Sequence, residues 1–244
     1  MGREWTVFLE PQTWIFLGGG VLVTLQVAAV TILISLGSGT LMALGRISGF
    51  APLRYATGLY IDVIRGIPVF LIIIFTFFGL GRAGIVVTVA WSVTIALTIY
   101  ATAQIAEIVR AGIAAVPRGQ VEAARALGLG PVHTFLDVVL PQAFRMMVPA
   151  LAGQYIMLTK STAIGAVIGL DETLRRAVIL YNGYQNPLQS LFVAACIYFV
   201  LLYSLSCFSR RLELEHTGQG VTREADESFL TRLRPARQAA HAGQ

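Results

Sequence analysis

From Trp14 to Leu44 the chain carries no charged side chain. Four further apolar runs follow: Gly66 to Gly81, Ala83 to Ala106, Met146 to Leu170 with only Lys160 inside it, and Ala177 to Ser209. A bilayer core about 30 Å thick needs about 20 apolar residues per helix. Lipid offers a backbone no hydrogen-bond partners, so uncharged runs of this kind are satisfied across it only as helices. The pattern predicts an all-α polytopic membrane protein with five transmembrane helices. Its second run is short and must borrow from Tyr60 to Arg65 to reach across. Composition agrees, because only 13% of the 244 residues are charged, against roughly 25% in soluble domains.

An odd number of crossings puts the two termini on opposite sides, and arginine counts choose between them. One side collects Arg46, Arg54, Arg65, Arg110, Arg118, Arg125, Arg145, Arg210 and Arg211. The other keeps Arg3, Arg82, Arg175 and Arg176, with Glu4, Glu10, Asp171 and Glu172 offsetting them. The N-terminus is therefore expected outside and the C-terminus in the cytoplasm. Residues 1–211 read as one transmembrane domain, and 212–244, charged and rich in small residues, as a mobile cytoplasmic tail.

The net charge of +5 does not indicate a nucleic-acid partner, since the arginines punctuate apolar runs and do not line a polar face with aromatics. His133, His216 and His241 are too scattered to suggest a metal site. Cys196 and Cys207 lie three turns apart in one apolar run, too far for a disulfide within a helix, and read as small buried hydrophobes. Ser35, Gly39 and Ala43 share one face of the first crossing, and Gly165 with Gly169 forms a small-xxx-small pair in the fourth.

The apolar pattern is broken by "VEAARALGLGPVHTFLDVVLP", residues 121 to 141. Pro117 can open a helix and Gly128 can close it in a left-handed conformation. Glu122 and Arg125 stand i,i+3, while Ala123, Ala124 and Ala126 leave a face with little side-chain bulk. A second short helix can start at Pro131, with Val132, Phe135, Leu136, Val139 and Leu140 at helical spacing, until Pro141 ends it. About ten residues cannot cross a bilayer, so the loop from about 114 to 141 is expected at the cytoplasmic surface with one face free for a partner. A plain interfacial connection between two spans is the alternative.

Glu122, Ala123 and Ala124, then Gly128, then Val138, Leu140 and Pro141 resemble the EAA loop of bacterial ABC importer permeases. That pattern is EAA, three residues, Gly, nine residues, Ile, one residue, Leu-Pro, and Val138 stands in for the Ile. "VIRGIPVFLIIIFTFFGL" (63 to 80), "AQIAEIVRAGIAAVPRGQVEAARALGL" (103 to 129) and "LPQAFRMMVPALAGQYIMLTKSTAIGAVIGL" (140 to 170) are similar to its polar amino acid branch. The resemblance extends from about Gly18 to Ser209. It implies a type I ABC importer permease, multi-pass in the bacterial cytoplasmic (inner) membrane, that forms the translocation pathway for a polar amino acid. The EAA loop would be the coupling helix held in a groove of a cytoplasmic ATPase.

The implied partners are two ABC ATPase subunits carrying ATP and magnesium, a second permease, identical or similar, and an extracytoplasmic solute-binding protein. This chain is expected to hold no cofactor and no metal, and to catalyse no reaction itself. Its one lysine, in "LTKST", lacks the preceding glycines of a phosphate-binding loop.

Lys160 lies about 15 Å along a helix that starts at Pro149, at roughly 1.5 Å per residue. With Ser161 and Thr162 it is a candidate for the substrate pathway, because an intramembrane charge is expected to face a cavity or a partner; a snorkelling lysine is the alternative. Relatives in this branch often carry Asp or Asn at the position of Ser161, and a neutral hydroxyl there weakens the case for a cationic substrate. Glu107 and Arg110 form an i,i+3 pair, and Arg65 to Pro68, "RGIP", matches the family's entry into the second crossing. Arg65, Glu107 and Arg110 are thus candidate gate or anchor residues. Asp171, Glu172, Arg175 and Arg176 read as a solvated outer loop, with a docking patch for a binding protein as the alternative. A passive channel or secondary transporter for a small polar solute is the rival reading, and it predicts paired inverted repeats, which five crossings do not supply.

Overall fold

The computed structural model of the chain describes residues 5–216, all of its regular structure being helical. Arg3, Glu4, His241 and the tail beyond His216 lie outside the described residues. Helix α1, Pro11–Ile47, opens on a proline whose missing N–H would have been unpaired in a first turn. It is the longest helix described and packs chiefly along α4, Val89–Ala115. Ser35, Gly39 and Ala43 all lie buried, as their spacing predicts. A Cβ on Gly39 would come within 2.7 Å of the Ile105 side chain and 3.1 Å of the Thr102 carbonyl oxygen. Beside it the Ser38 and Thr102 hydroxyls share a 2.7 Å hydrogen bond. Gly39→Leu is accordingly expected to lower stability by roughly 1–3 kcal/mol through overpacking, read as earlier thermal unfolding in detergent. Gly37→Leu is its control, because no atom lies within 4 Å of the Cβ there.

The second crossing departs from expectation. Ala51–Gly66 (α2) and Val69–Arg82 (α3) meet at 107°. Ile67, which precedes Pro68, is extended, as a pre-proline residue prefers. Tyr60 to Arg65 therefore belong to α2 and do not lengthen α3, which alone spans only about 21 Å. The third crossing also shifts: α4 starts at Val89, not Ala83, because the chain turns at Ala83–Gly84, where Gly84 takes φ +73°, and an exposed irregular stretch, Ile85–Val87, intervenes.

After α4 come α5, Arg118–Ala126, and one turn, α6, Pro131–His133. A π-helical stretch, Thr134–Val139, runs directly into α7, Leu140–Ser161. Pro141 thus does not end a short helix: the chain continues through it from the π-helical stretch into α7 without a break. Pro149 likewise lies inside α7 and does not begin it. A 3-10 stretch, Thr162–Ile168, follows and closes on Gly169 at φ +92°. Gly165 packs against Leu170 and Val93, whereas a Cβ on Gly169 would meet nothing within 4 Å; the two do not act as one packing pair.

The fifth expected crossing, Ala177 to Ser209, is divided into α8, Thr173–Tyr184, and α9, Pro187–His216. Gln185 at φ +54° and Pro187 make the break. Buried Asn186 stabilises it by accepting a 2.9 Å hydrogen bond from Ser190 Oγ. Helix α9 also continues five residues past 211, into the segment expected to be tail. Cys196 is exposed and Cys207 partly so, so neither is the buried hydrophobe expected. Four helical stretches are long and apolar enough to cross a membrane, and the bent α2–α3 pair makes a fifth.

Candidate functional site

Three groups of residues stand out, two of them at the arginine-rich end of the bundle. The first is α5. Ala124 is buried, and the helix packs on the π-helical stretch, while Glu122, Ala123 and Arg125 are exposed. The helix ends as its glycine predicts: Gly128 N–H donates to the Arg125 carbonyl at 2.9 Å, and Leu129 N–H to that of Ala124 at 3.1 Å. With Gly128 at φ +83° this is a Schellman termination. Leu127, which sequence reasoning did not single out, is 82% exposed beside it. A leucine in the residue before a capping glycine was the available signal. Leu140 and Pro141 are likewise exposed at the start of α7 among the described residues.

The second group is ionic. Glu107 and Arg110 on α4 form the expected pair, with Arg110 donating from Nε at 3.0 Å and from its terminal nitrogen at 2.6 Å. The structure adds what the sequence could not: Arg46 of α1 stands 3.6 Å from Glu107 and Arg65 of α2 stands 4.0 Å from it. Arg46 also binds Asp62 through two hydrogen bonds of 3.0 and 3.2 Å. Candidate residues Arg65, Glu107 and Arg110 are thus together, and three helices meet on one carboxylate. Next to them is a cleft of about 360 Å³ between α4 and α7, with Gln104, Met146 and Ala150 on its walls.

The third group lies where α7 ends. Lys160 is exposed, and Ser161 follows as the last helical residue. The Ser161 hydroxyl donates to the Met157 carbonyl at 2.9 Å and that of Thr162 to Thr159 at 2.8 Å. Thr162 is fully buried, whereas Lys160 is exposed and Ser161, partly exposed, keeps acceptor capacity on its hydroxyl oxygen. The helix carrying it begins at Leu140, which places Lys160 about 30 Å from that start.

Beyond it, Glu172 corrects the solvated-loop reading, being 0% exposed. Its two oxygens accept hydrogen bonds from Leu174 and Arg175 N–H at 2.9 and 2.8 Å, capping α8. Tyr198 of α9 donates its hydroxyl to the same carboxylate at 2.5 Å. Arg176 is also held, bridging Asp171 at 2.7 Å and reaching the Phe16 carbonyl at 2.5 Å. Among the described residues no group of three His, Cys, Asp or Glu side chains is placed to hold a metal ion.

Residues 35–214 match the family described as binding-protein-dependent transport system inner membrane component. The probable glutamine ABC transporter permease protein GlnP of Bacillus subtilis (strain 168) is 39% identical over 206 residues, covering 83% of this chain and 94% of that protein. The glutamate transport system permease protein GluD of Corynebacterium glutamicum is 38% identical over 215 residues, 86% of this chain and 79% of its own. Among solved structures, an amino acid ABC transporter with histidines superposes with a TM-score of 0.81 at 31% identity, covering 84% of this chain and 95% of that one.

Proposed function

This chain belongs to the binding-protein-dependent transport system inner membrane components, and from that premise we propose how its residues share the work of an importer. It is a membrane-spanning permease of an ABC transporter for a polar amino acid. The arginine-rich end is assigned to the cytoplasm, in keeping with the positive-inside rule. There α5 is the coupling helix: Glu122, Ala123 and Gly128, with exposed Leu127, seat in a cytoplasmic ATPase subunit, and Leu140 and Pro141 border the contact. Two such ATPases carry ATP and magnesium, a second permease completes the pathway, and an extracytoplasmic binding protein delivers the amino acid.

The observation that carries this assignment is the exposed, glycine-terminated helix α5, joined to α4 by only Val116 and Pro117. Displacement of α5 would pull on α4 and so on the carboxylate shared by Arg110, Arg46 and Arg65, which ties α1, α2 and α4 together. Coupling requires that the ATPases bind one arrangement of the helices more tightly than the other. The test is a mild-detergent pull-down of the chain from its native membrane, with proteins identified by mass spectrometry. An ATPase subunit is expected to copurify and to be lost with Glu122→Arg. If no ATPase accompanies the parent chain under conditions that keep known complexes intact, the assignment of α5 fails.

Lys160 is assigned to the substrate pathway because its ammonium is exposed near the end of α7 with no partner among the described residues. Lys160→Met is expected to reduce amino acid uptake about tenfold or more, the scale of one lost charge-assisted hydrogen bond. Uptake at the full parental rate would remove Lys160 from the pathway.

A further inference from the structure

The ionic group at the arginine-rich end is not balanced. Three guanidiniums, Arg46, Arg65 and Arg110, meet two carboxylates, Asp62 and Glu107. Arg46 engages Asp62 through both terminal nitrogens, and Arg110 engages Glu107 through two nitrogens. Arg65 is left with a single 4.0 Å approach to Glu107 and a side chain 41% exposed. A planar guanidinium without a bidentate partner is suited to a carboxylate from outside.

Arg65 lines the 360 Å³ cleft described above, a volume in the usual range of small-molecule sites, about 300–1,000 Å³. Gln104, on the same wall, has no hydrogen-bond partner among the described residues, so its amide oxygen is free to accept from an ammonium group, with Glu107 one turn along the helix. The rest of the lining is apolar and adaptable. Met146, Met147 and Ala150 come from α7, and Gly112 faces them so closely that a Cβ there would lie 2.2 Å from Met147 Cγ. Unbranched thioether side chains repack around differing shapes. The lining therefore offers an anion site, an ammonium acceptor beside it, and an apolar wall that selects no charged side chain.

We infer that this cleft is an inward-facing binding site for a zwitterionic α-amino acid, with Arg65 holding the α-carboxylate and Gln104 and Glu107 facing the α-ammonium. The inference rests on the amino acid importer reading above and deepens it. The cleft lies at the end assigned to the cytoplasm, so it is the place where a crossing amino acid leaves, and where cytoplasmic amino acid can return and slow further release.

The test is site-specific protection from alkylation. Full-length chain with Ala150→Cys, in a Cys196→Ala, Cys207→Ala background, is labelled with a maleimide in native membranes opened by freeze–thaw, so that both faces are accessible. L-glutamine, L-glutamate and L-arginine are the probes, with their amino alcohols, which lack the carboxylate, and inorganic phosphate as comparisons. At least one amino acid is expected to slow labelling about threefold at twice its dissociation constant, from the factor 1 + [L]/Kd. Its amino alcohol and phosphate are expected not to. Arg65→Gln is expected to label at the unliganded rate with or without amino acid, and Arg65→Lys to recover part of the protection.

Protection that persists in Arg65→Gln, or that the amino alcohol or phosphate gives equally, overturns the site. So does labelling that no amino acid slows, if the Cys196→Ala, Cys207→Ala background still imports one of the three in cells; the importer reading then stands without it. Absence of import by the parent chain and the background alike overturns both.

Discussion

Gly128→Val is expected to cut ATP-driven amino acid uptake by about tenfold or more while the protein still reaches the membrane in near-parental amount. Gly128 sits at φ +83°, and a residue with a Cβ pays roughly 1–2 kcal/mol to adopt the left-handed region, with a β-branched one at the unfavourable end. The alternative is to give up the two terminating hydrogen bonds from Gly128 and Leu129, which fix where α5 stops and where exposed Leu127 points. Either way the helix loses its defined seat. No atom lies within 4 Å of the position a Cβ would occupy, so the substitution disturbs no packing inside the chain, and the helical bundle is expected to survive it. Uptake in cells, paired with immunoblots of the membrane fraction, measures both halves of the expectation. Gly128→Asn separates backbone from bulk, since asparagine tolerates the left-handed region. It should retain more uptake than valine if conformation is what matters. Normal uptake by the valine variant would show that α5 does not need its cap to couple.

Glu172→Leu is expected to have the larger effect on stability. The carboxylate is fully buried and accepts three hydrogen bonds, two from the first turn of α8 and one from Tyr198 of α9. Leucine leaves those part-buried donors without their acceptor. Losing the cap on α8 costs about 0.5–2 kcal/mol, and stranding the Tyr198 hydroxyl a further roughly 1–3 kcal/mol. The total is several kcal/mol, large against the roughly 5–15 kcal/mol that holds a typical domain folded. The expected result is a sharp fall in the monodisperse fraction on size-exclusion chromatography in detergent, with thermal unfolding at lower temperature. Glu172→Gln keeps one acceptor oxygen and should be milder, and Tyr198→Phe, which removes a single donor, milder still. A leucine variant as stable as the parent would mean that the α8–α9 hairpin is held by apolar packing alone.

These two positions differ in how far the sequence announced them. Gly128 was legible because a glycine after an alanine-rich helical stretch, with nine residues between it and Val138, is a local pattern. Glu172 was not, because beside Asp171, Arg175 and Arg176 it looks like one charge among several in a solvated turn. Its burial depends on Tyr198, twenty-six positions away. The α8–α9 break did leave a local sign, the Asn186–Pro187 step, but an uninterrupted absence of charge outweighed it. At α2–α3 the Gly66–Pro68 bend was visible as a sequence, while its 107° angle was not.

What the sequence by itself determined was everything that adds up along the chain. Hydropathy is such a sum, so the five apolar runs and the polar interruption between them could be read off, and cap chemistry is a local property, so the end of α5 could be too. What only the tertiary structure decided were the relations between distant residues. Glu107 and Arg110 could be paired from their spacing, but Arg46 and Arg65 reach the same carboxylate only because α1 and α2 pack against α4. The surplus charge on Arg65 exists only once those neighbours are in place. A side chain's partner in lipid is set by which helices meet, and helix meeting is decided by close contacts such as Gly39 against Ile105, whose energy depends on fit in three dimensions and leaves no sum along the chain to read.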